Sequence, residues 1–238
     1  MFGYRARIGY ISPSVIELNG YDFYRIVPKG VGLIGVTCMV GGWKDEAYKQ
    51  ALAQVEACAK ELGRRSCDFI IHGGGPLVLT QGKGFELSLI EKVKSISGTP
   101  CTTSIMAAMD AFRDLSTSRL AVVDPYPPDL NQTMIKYLKD WGFEVASVVS
   151  LETTFTESSV VSIGDIYRAA KRAVREAGNA TGIFIPCANF PVVDVIEEIE
   201  ADLGLPVISN ITSQLYVAFK TIGMREKING YGRLLRML

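Results

Sequence analysis

Histidine is almost missing from this chain: His72 is the only one among 238 residues. Its five cysteines (Cys38, Cys58, Cys67, Cys101, Cys187) are scattered, with no Cys-x-x-Cys pair and no Cys/His cluster. No zinc site or other metal is therefore expected. His72 also has no identifiable acidic partner, which leaves a Ser-His-Asp triad unsupported. An excess of one charge is lacking too. The 25 Lys and Arg balance 25 Asp and Glu, and no basic stripe marks a nucleic-acid surface. No apolar run approaches the roughly 18 residues of a membrane span. Met1 to Arg7 lacks the apolar core of a signal peptide. Unpaired, dispersed thiols fit a reducing compartment. The expectation is a cytoplasmic protein that meets a small molecule, with no nucleic-acid or membrane partner.

What is present is a regular alternation of short apolar runs and longer amphipathic stretches. Strands are predicted at Arg7–Ser12, Val31–Met39, Cys67–Ile71, Pro100–Cys101, Leu120–Val123, Glu144–Val149, Gly182–Ile185 and Pro206–Ser209. Helices are predicted at Lys44–Leu62, Phe85–Ser95, Thr102–Leu115, Leu130–Trp141, Gly164–Ala177, near Val192–Leu203, and at Thr212–Ile222. Continuously apolar strands separated by helices mean parallel sheet covered on both faces, an α/β fold.

The chain also repeats itself. Phe69-Ile70-Ile71-His72-Gly73-Gly74 leads through a helix to Gly98-Thr99-Pro100-Cys101-Thr102-Thr103-Ser104. Ile183-Phe184-Ile185-Pro186-Cys187-Ala188 leads likewise to Gly204-Leu205-Pro206-Val207-Ile208-Ser209-Asn210. The shared order predicts two similar parallel-sheet α/β domains related by a pseudo-twofold axis. The expected units are 1–115 joined by 208–238, and 116–207. A ligand belongs in the cleft between them, outside the carboxyl ends of the strands.

Three strand ends carry candidate chemistry, each with a plainer reading beside it. Cys187 follows one strand and precedes a helix, where a helix N-terminus would stabilise a thiolate. A thiol of ordinary pKa about 8.5 also serves as a proton donor. A small buried residue fits the position equally. Gly73-Gly74-Gly75 is either a backbone nest for a carboxylate or a tight turn of positive φ. It is neither a Walker loop nor a dinucleotide fingerprint. Tyr126, in Asp124-Pro125-Tyr126-Pro127-Pro128, is a turn aromatic or a carboxylate donor. Thr102-Thr103-Ser104 and Ser209-Asn210 read first as helix N-caps.

Together these segments, with Gly230-Tyr231-Gly232-Arg233-Leu234, resemble the aspartate/glutamate racemase superfamily. Within it they are most similar to the branch of arylmalonate decarboxylase and the maleate cis-trans isomerases. Racemases and isomerases of that superfamily carry one cysteine per half, whereas the decarboxylase has glycine at the first position. The matching residues here are Gly74 and Cys187. The resemblance therefore implies a cofactor-independent decarboxylase of a small malonate-type dicarboxylic acid, in which Cys187 protonates a planar enediolate. It implies that Gly74, Gly75, Tyr126 and Ala188 bind the carboxylate or enediolate. Pro13, Val40, Trp43 and Leu77 are expected to line the pocket, with Trp43 narrowing it. Two departures stand out. Gly74-Gly75-Pro76-Leu77 replaces a pattern similar to Gly-Thr-Ser-Leu, which removes two hydroxyl donors, and the stretch Thr153–Ser159 is polar. An isomerase or racemase using Cys187 is the alternative, and needs a second thiol for which Cys38 is the only candidate. A non-catalytic carboxylate binder is the reading from outside enzymology.

Overall fold

The computed structural model describes residues 2–13, 16–38, 45–154 and 156–238, with backbone alone for 45–48. The chain begins β1 (Ala6–Ser12), α1 (Leu18–Ile26), β2 (Val31–Thr37), α2 (Asp45–Arg64) and β3 (Phe69–His72). It continues α3 (Gly75–Leu79), α4 (Lys83–Ser97), β4 (Cys101–Thr103) and α5 (Ser104–Asp114). Then follow β5 (Arg119–Asp124), α6 (Pro128–Asp140), β6 (Glu144–Ser150), α7 (Ile163–Ala177) and β7 (Gly182–Ile185). Last come α8 (Ile196–Leu203), β8 (Val207–Ser209) and α9 (Asn210–Thr221).

The strands form two four-stranded sheets, ordered β2-β1-β3-β4 and β6-β5-β7-β8, and every pairing is parallel. This is the α/β fold with two similar parallel-sheet halves that the repeat predicts. β3 (Phe-Ile-Ile-His) and β7 (Gly-Ile-Phe-Ile) are buried at every position, as strands covered on both faces must be. The repeat extends to the ends of helices. Gly98 ends α4 and Gly204 ends α8, with φ of 70° and 71°. Both use the left-handed region that glycine enters without steric cost. Thr103 then caps α5, accepting from the Met106 N–H at 3.1 Å. Ser209 caps α9 in a reciprocal box with Thr212. Both segments are the N-caps that the sequence suggested.

Three elements differ from expectation. α1 lies where the sequence predicts no element, because its buried face is Asn19, Asp22, Phe23 and Ile26, half of it polar. The spacing is helical but the apolar signal is halved. α3 hides inside what reads as a glycine turn. α8 starts at Ile196 rather than near Val192. Pro191 lacks an N–H and disfavours helical backbone at Phe190, so residues 188–195 turn before the helix begins.

The two halves share a core. Phe112 of α5 meets Phe143 and Phe184 edge-on, with centroids 5.1 and 5.0 Å away. Glu200 of α8 accepts from the Val207 and Arg233 N–H groups, both at 2.8 Å, and Glu197 from the Gly232 N–H at 2.9 Å. The Tyr231 hydroxyl donates to the Arg25 carbonyl at 2.7 Å. The terminal Gly-Tyr-Gly-Arg motif is thus a strap tying α8 to α1. Among the described residues no helix is long and apolar enough to cross a membrane.

Candidate active site

Parallel strands end at one edge of each sheet, and the ends of β1, β3, β5 and β7 bound one small cavity between the halves. β1 contributes Tyr10, Ser12 and the following Pro13, and α1 contributes Asn19. From the β3–α3 turn come Gly74, Gly75 and Pro76. The second half supplies Tyr126, Ser158 and the run Pro186 to Asn189. Asn210, at the start of α9, completes the lining. The cavity measures about 60 Å³. Since about 10–15 Å³ holds one water, it suits a few small polar groups.

Cys187, Gly74, Gly75, Tyr126, Ala188 and Pro13 all line this cavity. Leu77 is buried beneath the turn, against Gly74. Val40 and Trp43 lie outside the described residues. Cys38 is not in the lining; it is buried with its sulfur 3.6 Å from that of Cys58. His72 is buried at the end of β3, and burial lowers its pKa to about 4, so the ring is neutral.

Gly74 has φ 81° and ψ 66° and opens α3. A Cβ there would lie 2.5 Å from Leu77 Cδ1 and 2.9 Å from Pro13 Cγ. A side chain at residue 74 would be strained by the backbone conformation and crowded by Leu77 and Pro13. Pro76 has no N–H to offer.

Cys187 is 6% exposed, and burial pushes its thiol up to about 12. The N–H groups of Asn189 and Phe190 and the Ser158 side chain pull the other way, while the Asp124 charge adds to the rise. The expected helix N-terminus is absent; turn amides face the sulfur instead. The net result is a protonated thiol at neutral pH. Asp124 itself is fully buried at the end of β5, and burial raises its pKa to about 6. It accepts from the Tyr126 N–H at 2.9 Å and from Asn131 Nδ2 at 3.3 Å. Ser150 Oγ donates to the Tyr126 carbonyl at 2.7 Å. Tyr126 is held in the cleft by its own backbone.

Sequence reasoning overlooked Tyr10, Ser12, Asn19 and Asn189, while Ser158 belongs to the polar stretch Thr153–Ser159 that it singled out. A phenol inside a strand buried on both faces needs a polar partner, and that requirement was the available signal for Tyr10. Behind it runs a buried network. Gln214 Nε2 donates to Ser104 Oγ at 2.9 Å and to Asn210 Oδ1 at 2.7 Å, and Asn210 Nδ2 donates to the Pro186 carbonyl at 2.9 Å. These bonds couple the base of α5 in one half to the strand end that carries Cys187.

Known proteins are similar to this chain in sequence and in fold. Arylmalonate decarboxylase of Bordetella bronchiseptica is 28% identical over 235 residues, 95% of each chain. Maleate isomerase of Geobacillus stearothermophilus is 26% identical over 197 residues, 80% of this chain and 78% of its own. A doubly substituted arylmalonate decarboxylase, solved in liganded form, has a TM-score of 0.90 at 25% identity, covering 96% of this chain and 98% of that one. The chain is accordingly an enzyme, and its relatives carry out decarboxylation or isomerisation. The sequence profile described as arylmalonate decarboxylase matches residues 21–235. Fold and sequence agree, and the chain belongs to the arylmalonate decarboxylase family.

Proposed function

We propose that this enzyme decarboxylates a small malonate-type dicarboxylic acid without a cofactor, with Cys187 as the proton donor. The observation that carries the reading is a single buried, protonated thiol facing a glycine turn that holds no second thiol. In this reaction the bond between the central carbon and one carboxylate breaks, and carbon dioxide leaves. The electron pair spreads onto the remaining carboxylate as an enediolate, so the substrate is its own electron sink. The Cys187 proton then goes to the central carbon, and water restores the thiol. Delivery from one face gives one enantiomer. Gly74, Gly75, Tyr126 and Ala188 hold the retained carboxylate, and the apolar surroundings favour loss of charge from the departing one. The two halves, 1–115 with 208–238 and 116–207, are the units between which substrate binds. The packing of α9 against α5 supports that division.

Incubation with a panel of substituted malonates, following carbon dioxide, tests the reading. Release abolished by Cys187→Ser is the expected result; release unaffected by that substitution overturns it. The second reading is a maleate isomerase, favoured by 26% identity to the Geobacillus stearothermophilus enzyme. There Cys187 attacks as thiolate, and fumarate rather than carbon dioxide accumulates.

A further inference from the structure

We infer that the Tyr10 phenol is the hydroxyl donor that stabilises the anionic oxygen formed in this cleft; the inference rests on the decarboxylase reading. Charge growing on the retained carboxylate needs donors aimed at it before reaction begins. The β3–α3 turn brings no side-chain hydroxyl, since Gly74 and Gly75 have no side chains and Pro76 has no donor at all. Tyr10 stands beside that turn. It lines the cavity at 3% exposure, and its hydroxyl fills the space that a Cβ on Gly73 would take. The bare backbone at Gly73 is thus what admits the phenol.

The position is rigid. β1 lies between β2 and β3 in the sheet, so Tyr10 is held by paired strands on both sides. Gln214, whose Nε2 is committed to Ser104 and Asn210, lies beside it. Burial raises the phenol to about 12, and interaction with Cys187 adds to the rise. The O–H therefore stays protonated throughout the working range. Tyr10 and Cys187 line the same cavity, so donor and thiol face one bound molecule. Ser12, two residues along the same face of β1, brings a second hydroxyl to the cavity. Tyr126 enters from the other half and, in the reading above, holds the same retained carboxylate.

The test is Tyr10→Phe, which removes one oxygen and keeps the ring. We expect kcat for carbon dioxide release to fall about 100- to 1000-fold, with KM changed less than about threefold and the circular dichroism spectrum unchanged. A merely structural tyrosine would lower Tm and spare kcat. If Cys187→Ser is inactive while Tyr10→Phe keeps wild-type kcat, this inference falls and the decarboxylase reading stands. If the wild type releases no carbon dioxide from any malonate, the decarboxylase reading falls, and this inference, which rests on it, falls with it. Should Tyr10→Phe not fold, Gly73→Ala displaces the phenol oxygen while keeping the ring, and is read by the same criteria.

Discussion

Asp124 ends β5 and Cys187 follows β7, and burial raises the pKa of both with different consequences. Burial holds the Cys187 thiol at about 12, so a proton-donor mechanism already has its active form at pH 6 and keeps it at pH 9. For decarboxylation we expect kcat to vary less than about threefold over that range. A thiolate nucleophile would instead gain about tenfold per pH unit, and such a rise would reject the proton-donor role. Asp124 affects stability. It ionises near 3.8 in the unfolded chain and at about 6 in the fold. Between these values the folded state retains a proton that the unfolded chain has released. The stability contributed is full below about pH 4 and is lost as pH rises through 6, by at most about 3 kcal/mol. In Asp124→Asn this loss is absent, so unfolding free energies of the two proteins should diverge in the variant's favour from pH 4 to 7. A pH-independent difference would remove Asp124 from the account. At this scale the sequence revealed residues marked by backbone context: Cys187, Tyr126, Gly74, Gly75 and Ala188 all sit at strand ends. Tyr10 and Ser12 stayed hidden because their residue types also suit an ordinary strand.

Elements were legible where a capping rule and an apolar period coincide, and illegible where only one was present. Gly98 and Gly204 announce the ends of α4 and α8, and Thr103 and Ser209 the starts of α5 and α9. α1 has helical spacing with a half-polar face, so its apolar pattern is weak. α3 is five buried residues opened by a left-handed glycine, too short for any period to show. That glycine carries a prediction. Gly74→Ala places a Cβ on a residue with φ 81°, in contact with Leu77 and Pro13. The forced backbone costs about 1–3 kcal/mol, and the contacts add to it. We expect a Tm decrease with loss of carbon dioxide release, since the turn must move toward the cavity. An unchanged Tm would mean that the turn relaxes freely, and the argument that backbone geometry keeps residue 74 a glycine would fail. Gly230-Tyr231-Gly232-Arg233 was legible as a motif but not as an element. Its role as a strap became visible only through its bonds to Glu197, Glu200 and Arg25.

For the whole molecule, the internal repeat was the most productive feature of the sequence, because a duplicated unit fixes both the class of fold and the location of the cleft. It could not indicate how firmly the two halves are joined. That depends on contacts between residues far apart in the chain, and no local pattern encodes them. Phe112 is the clearest of these: fully buried, it packs edge-on against Phe143 and Phe184 of the other half. The network through Ser104, Gln214 and Asn210 joins the halves a second time, close to the cleft. A shared core of this kind makes the chain one cooperative unit rather than two independent ones. Phe112→Ala should cost about 3–5 kcal/mol, which for a chain of this size lowers Tm by roughly 10 °C. Calorimetry should show a single transition in both wild type and variant, displaced but not divided. A variant that melts in two steps would show that each half holds itself together, and that the spacing between Tyr10 and Cys187 is set by hinge position rather than by packing.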